Sequence, residues 1–500
     1  MMDISRKTSI RSFRMLDAII LVLTISLVAA MQGCTVGKDY QQPKMDMPEQ
    51  WSQDSAGMFS VGADPNLAGW WTIFGDPQLD ALIQQALVEN RSIQAAVYRL
   101  EASRAMWDYA AGRYYPSVDA TGSYSRIKVG KDGTMQSHDE IDPFNLHAGG
   151  FDFLWEVDLF GRIKRSVESA EASYQASVED YRDVMVTLLA EVCRNYIDLR
   201  TIQARIVYAN ENIDIQQRTL ELTRSRFQYE LTGELDVRQA ESNLASTKSE
   251  LHVLKISEAA AIHRLGVLLG QMPTSLRESL GTFSAMPTIG RQAVLGVPAD
   301  VLRNRPDIRR VERQLAAQTA RIGVATADLY PSLQLVGTFE IQSRELSGLG
   351  NIHNQAYSVG PGVRWNLFDG NRIRNVIKVE EAAAGELLAN WENTVLLAAE
   401  DVENAVVSYS QQQQRQVLLA ESVQASVRSV ELVDNLYQTG LTDFQNVLVT
   451  QRSLFVQQDQ LAASQGEVLQ SLVRLYKGFG GGWQISDTQE AVAQTQPATN

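Results

Sequence analysis

Two periodicities divide this chain. In "SVDATGSYS" (117–125), Val118, Ala120, Gly122 and Tyr124 alternate with Ser117, Asp119, Thr121 and Ser123. Residues 147–157 repeat the alternation, with Phe151, Phe153, Trp155 and Val157 opposite Asp152, Leu154 and Glu156. Further on, Leu333, Leu335, Phe339 and Ile341 oppose Ser332, Gln334, Thr338 and Glu340, while Tyr357, Val359, Val363 and Trp365 oppose Ser358, Arg364 and Asn366. A period of two with one apolar face predicts four strands in two hairpins. Elsewhere the period is helical. From Arg162 to about residue 231 neither proline nor glycine occurs, and Val178, Tyr181, Met185, Leu188, Val192 and Tyr196 recur three and four apart. Some 70 residues of helix reach roughly 105 Å. Residues 371–439 repeat the pattern, with Gly385 as their one helix-weakening residue. Both runs end at short turns, "ELTGE" (230–234) and "TGLTD" (439–443), and return as shorter helices. Helices at 91–112 and 307–328 precede the hairpins and can stack end to end on the returning ones.

The pattern is a duplication. "YYPSVDATGSY" (114–124) reappears as "LYPSLQLVGTF" (329–339), 215 residues on. "WEVDLFGRI" (155–163) matches "WNLFDGNRI" (365–373), and "FQYELTGELDV" (227–237) matches "YQTGLTDFQNV" (437–447), both at an offset of 210. The expected organisation is therefore a signal peptide at 1–33 and a segment at 34–90 carrying one helix. Repeat 1 spans 91–270, with a hairpin at about 117–157, a long helix at 162–231 and a helix at 235–269. A linker at 271–305 follows. Repeat 2 spans 306–478, with a hairpin at about 332–367, a long helix at 371–439 and a helix at 443–477. A polar tail occupies 479–500.

The N-terminus changes the picture from soluble rod to envelope protein. Arg6, Lys7, Arg11 and Arg14 precede the apolar run "LDAIILVLTISLVAA", which "MQGC" follows. That is a secretory signal, too short for a helical membrane span. Cleavage before Cys34 would leave its thiol and free amine to carry acyl chains, enough for stable anchoring. Thr35, in place of an aspartate, carries no inner-membrane retention signal. Strands of about ten residues can cross a bilayer, but four cannot close a barrel, and open edges in hydrocarbon leave backbone groups unpaired. Membrane strands here would require oligomerisation, with the polar faces lining a water-filled lumen.

Charge and candidate chemistry add mostly exclusions. The net charge of −14 argues against a nucleic-acid partner. Removal of 1–33 takes away more basic than acidic residues, so the mature chain is more acidic still. Two cysteines and five scattered histidines make no metal-ligand spacing, and no nucleophile elbow, Walker loop or dinucleotide fingerprint is present. Catalysis has no evident seat, and the expectation is a non-enzyme without cofactors beyond lipid on Cys34. His138, Asp139, Glu140 and Asp142 read as a solvated hairpin loop. In "NRPDIRR" (304–310), Asn304 can cap, Pro306 suits a first turn and Asp307 favours a helix N-terminus, a structural role. The tail "SDTQEAVAQTQPATN" (486–500) has no apolar period.

Six further stretches carry a resemblance. They are "CTVGKDYQQP" (34–43), "GWWTIFGDPQLDALIQQALVEN" (69–90), "PADVLRNRPDIRRVERQLAAQTARIGVATADLYPSL" (298–333), "LFDGNRI" (367–373), "QRSLF" (451–455) and "LYKGFGGGW" (475–483). Through them residues 34–483 resemble the TolC-like outer membrane factor family, in its lipoprotein branch of NodT- and OprM-like proteins. The resemblance implies a homotrimer whose α-helical barrel continues a twelve-stranded β-barrel, four strands per chain. It implies a location in the bacterial outer membrane, with the helical barrel in the periplasm. The implied work is passive, as an exit duct for efflux. Its partners would be a periplasmic adaptor and an inner-membrane transporter of the resistance–nodulation–division type. Type I protein secretion, or a structural envelope coiled coil, are the alternative functions. The family's adaptor-binding tip motif matches Gly440, Leu441 and Thr442, whereas the first copy offers Glu230, Leu231 and Thr232. At the periplasmic gate, positions that often hold paired carboxylates are Asn446 and Val449, beside Asp443, Arg452 and, in the first copy, Asp236. These imply a constriction of amide and aliphatic groups in place of a cation-binding ring.

Overall fold

The computed structural model describes residues 35–46, 51, 60–61, 67–128, 142–289, 294–295 and 298–484. Cys34, the signal peptide, His138 to Glu140 and the stretch from Ser486 lie outside the described residues. The principal elements, in chain order, begin with α1 (Pro77–Glu89) and α2 (Arg91–Gly112). Strands β1 (Ser117–Ile127) and β2 (Phe144–Val157) come next, then α3 (Arg162–Gln228) and α4 (Glu234–Leu268). The second half holds α5 (Pro306–Ala327), β3 (Ser332–Ser343), β4 (Gln355–Arg364), α6 (Arg372–Gln438) and α7 (Phe444–Gly478). Both α3 and α6 run 67 residues, about 100 Å at the standard rise. The chain folds into two compact units, each assembled from three separate stretches of sequence.

The first unit takes Met1–Pro43, Glu101–Ala176 and Val311–Ala389. Its centre is one antiparallel sheet in the order β1-β2-β3-β4. Phe151 pairs with Ala120 and Phe339, and Phe339 with Tyr357, so the apolar residues of all four strands share a face. A Cβ on Gly150 would collide with the Phe339 carbonyl and Glu340, so only glycine lets β2 and β3 approach there. The duplication survives in detail. Trp155 Nε1 donates to the Tyr114 carbonyl (3.0 Å) and Trp365 Nε1 to that of Leu329 (3.1 Å). Gly161 and its mate Asn371 both take left-handed backbone just before the long helices, at φ 79° and 67°. The segment behind residue 34 is seated beside that turn. Val36 N–H donates to the Phe160 carbonyl, and the buried Arg165 donates to the Val36 and Gly37 carbonyls and to Asp39.

The second unit takes Lys44–Leu100, Ser177–Arg310 and Asn390–Asn500. Its core gathers Trp70, Phe74 and Ile83 with Leu189 and Ile197 of α3, Val406 of α6, and Leu472 and Tyr476 of α7. Asp76 caps α1 by accepting from the Gln78 and Leu79 N–H groups, with Pro77 at the first helical position. The Tyr196 hydroxyl donates to Asp76 (2.6 Å), and burial with that bond pushes it up to about 12. The expected end-to-end helix stacking has a specific joint. Asn90 Nδ2, just before α2, donates to Leu268 O at the end of α4 (2.7 Å), while Arg305 Nη1, just before α5, donates to Gly478 O at the end of α7 (3.0 Å).

Two sequence readings need correction. The polar tail does not begin at 479: Phe479 and Trp483 are buried. Glycines 480 and 482, at φ 66° and 112°, turn the chain so that both aromatics reach the unit's interior. The guanidiniums of Arg182 and Arg309 lie over the Trp483 ring, 4.3 and 5.4 Å from its centre. Nor does Asn304 cap α5. The helix starts at Pro306, Arg305 precedes it, and the Asn304 carbonyl accepts from Trp483 Nε1 instead.

Candidate functional site: an amphipathic sheet and two helical tips

In the first unit, the sheet presents an exposed apolar face built from Val118, Phe151, Phe339, Tyr357, Val359 and Val363. Its other face carries Asp119, Thr121, Asp152, Gln334, Thr338 and Ser358. Among the described residues, β1 and β4 each pair on one side only. Strands of 10–14 residues with one greasy and one polar face, and two unpaired edges, form a segment of a larger closed structure. Among the described residues no helix is long and apolar enough to cross a membrane.

The tips lie in the second unit, where α3 turns into α4 and α6 into α7. Both close by the same pair of backbone bonds. Leu231 N–H donates to Arg226 O and Glu230 N–H to Phe227 O; Leu441 N–H donates to Leu436 O and Gly440 N–H to Tyr437 O. This is a Schellman closure, whose left-handed residue is usually glycine. Gly440 holds it at φ 77°, and Glu230 holds it at φ 57°. The sequence contrast between the tips is thus one of side chain, not of backbone. Leu231 and Leu441 are exposed at the two apices.

The gate candidates split by partner. Thr232 donates to Asp236, and Asn446 Nδ2 donates to Thr442 Oγ1 (2.9 Å). Asp236 and Asn446 are repeat mates at the 210 offset, each tied to a threonine four residues back but with donor and acceptor exchanged. Asp443 precedes α7 without a capping bond from its side chain. Val449 is exposed, and Arg452 Nε donates to Asn243 Oδ1 (2.9 Å). Sequence reading missed Arg226, which donates to the Tyr437 carbonyl (2.7 Å) and lies over the Tyr437 ring, tying the two tips together. Its repeat mate is Leu436, so the break in the duplication was the available signal. Asp434, near the same turn, is raised by burial, with Gln451 and Arg218 opposing the rise. Among the described residues no cluster suits a metal ion. Cys193 is free and fully buried.

A duplicated chain pairing an amphipathic, open-edged sheet with two helical hairpins defines a membrane channel component. It belongs to the outer membrane efflux protein family, whose model matches residues 82–271 and again 297–481, one match per repeat. Nodulation protein T of Rhizobium leguminosarum bv. trifolii is 31% identical over 455 residues, covering 91% of this chain and 95% of that protein. The solvent efflux pump outer membrane protein SrpC of Pseudomonas putida is 30% identical over 91% of this chain and 96% of its own length. The solved outer-membrane channel OprN superimposes with a TM-score of 0.85 at 35% identity, over 90% of this chain and all of that one.

Proposed function

We propose that this protein is the outer-membrane exit duct of a tripartite efflux system. Three chains close their sheets into a twelve-stranded barrel, with apolar faces to lipid and polar faces to the lumen. The helical hairpins form a periplasmic barrel gated near Asn446 and Val449. A periplasmic adaptor docks at the tips, around Leu231, Thr232, Gly440, Leu441 and Thr442, and links the duct to an inner-membrane transporter of the resistance–nodulation–division type. Acyl chains on Cys34 anchor the mature chain, and the duct performs no catalysis. The sheet carries this reading: a four-stranded segment with one exposed apolar face and two open edges is stable in hydrocarbon only when closed by further copies. The naming of SrpC for a solvent efflux pump supports efflux over protein secretion. The test is native mass spectrometry of detergent-extracted protein followed by planar-bilayer recording. A trimer that conducts is expected; a stable monomer with intact β-structure, or a trimer without conductance, overturns it.

A further inference from the structure

The two tips share a backbone and differ in what they display. Relative to the second tip, the first replaces Thr439 with Tyr229, Gly440 with Glu230 and Gln445 with Leu235. Tyr229, Leu231 and Leu235 are 74%, 64% and 67% exposed, an apolar apex at the end of two polar helices. Glu230 stands among them in left-handed backbone, a conformation that an L-residue adopts only at a cost glycine avoids. Its carboxylate offsets none of that cost inside the chain, since among the described residues it makes no hydrogen bond or ion pair. The arginines nearest to it in sequence have other partners. Arg224 pairs with Glu241, Arg238 with Glu234 and Glu241, and Arg226 with the Tyr437 carbonyl. An acid in left-handed backbone, without an intramolecular partner and flanked in sequence by the exposed Tyr229 and Leu231, is unexplained by folding.

We propose that the first tip is the principal docking point for the periplasmic partner, through Glu230. The occupant is a protein surface that offers a lysine or arginine beside an apolar groove for Tyr229 and Leu235. This rests on the docking role proposed for the tips and reverses their expected ranking, in which the Gly440 tip matched the family. Glu230 is a specificity-determining residue: its charge selects the partner, and the apolar apex supplies contact area.

The test uses full-length protein in its own cells, with p-benzoylphenylalanine placed at Tyr229 or at Thr439. After irradiation, adducts are identified and quantified by mass spectrometry. The proposal expects an adduct at position 229 with a periplasmic adaptor, falling at least fivefold in Glu230→Lys. An adaptor adduct confined to position 439, or one at 229 that Glu230→Lys leaves unchanged, overturns the proposal while the docking role stands. No adaptor adduct at either position overturns both. Glu230→Gly separates docking from folding. It relieves the left-handed strain, so its Tm should rise while the adduct at 229 falls. A variant with raised Tm and undiminished adduct would show that the side chain does not dock.

Discussion

Asp183 sits where one residue's charge state bears on stability. Burial raises its carboxyl above the ordinary aspartate range, and Asp307 and Asp180 add to the rise while Arg310 and Arg305 oppose it. A raised acid favours the protonated folded form. Its stabilising contribution is therefore complete below the unfolded value of about 4 and is lost as pH climbs through the raised value. Asp183→Asn should accordingly raise Tm at pH 7, with the gain shrinking as pH falls through the raised value and gone below about pH 4. Thermal scans of both proteins across that window check it; a lower Tm for the variant at pH 7 would mean that the arginines outweigh burial. Glu230 is the counterpart at the tip, a residue whose backbone cost is legible only against its repeat mate Gly440.

Among the elements, the sheet makes the sharpest demand, because adjacent residues on one strand face different media. Thr338 pairs with Asp152 on the polar face, and Phe339 with Phe151 on the apolar one. A lysine on a lipid-facing strand costs about 2–4 kcal/mol near mid-membrane, whereas one facing a lumen is solvated. Phe339→Lys should fail to form a heat-resistant oligomer in outer-membrane fractions, and Thr338→Lys should form it normally. Equal assembly of the two would reverse the assignment of faces. The seated segment after residue 34 bears on a second test. Arg165 and the Phe160 carbonyl hold residues 36–39 beside the turn that follows β2. Mass spectrometry of the mature N-terminus should find Cys34 first and lipid-modified, and Cys34→Ser should carry no lipid. A mature chain that starts elsewhere would remove the anchor from the account.

At the scale of the whole molecule, the proposed gate is a property that no single chain would display. Asn446 and Val449 lie three residues apart on α7, both exposed, so they share a helix face and would recur three times around a trimer axis. Replacing both with Asp would set six carboxylates at the mouth, where mutual repulsion raises some of their pKa values and attracts cations. Wild-type current should resist trivalent cations added from the periplasmic side, and the double variant should be strongly blocked. Equal block of both proteins would show that Asn446 and Val449 do not face the pore, or that Asp443 and Asp236 already supply the ring.

Local periodicity determined most of the elements here. Alternation marked the four strands and their faces, and the long glycine- and proline-free runs marked α3 and α6 to within three residues at their ends. Both signals are short-range, because a face is defined by neighbours two, three or four positions apart. The expected end-to-end stacking of helices is met at two joints, where Asn90 and Arg305 reach the ends of α4 and α7. Three things waited for the tertiary structure. Phe479 and Trp483 read as the start of a polar tail, since aromatics spaced by three glycines show no period; only two left-handed glycines and the guanidiniums of Arg182 and Arg309 make them core. Arg226 carries no motif, and its partner lies 211 positions away. The shared closing backbone of the two tips was hidden because a backbone conformation is not a letter: Glu230 and Gly440 differ in sequence, yet both take left-handed φ. Contacts and dihedrals fixed by distant packing leave no periodic trace, so they became visible only in three dimensions.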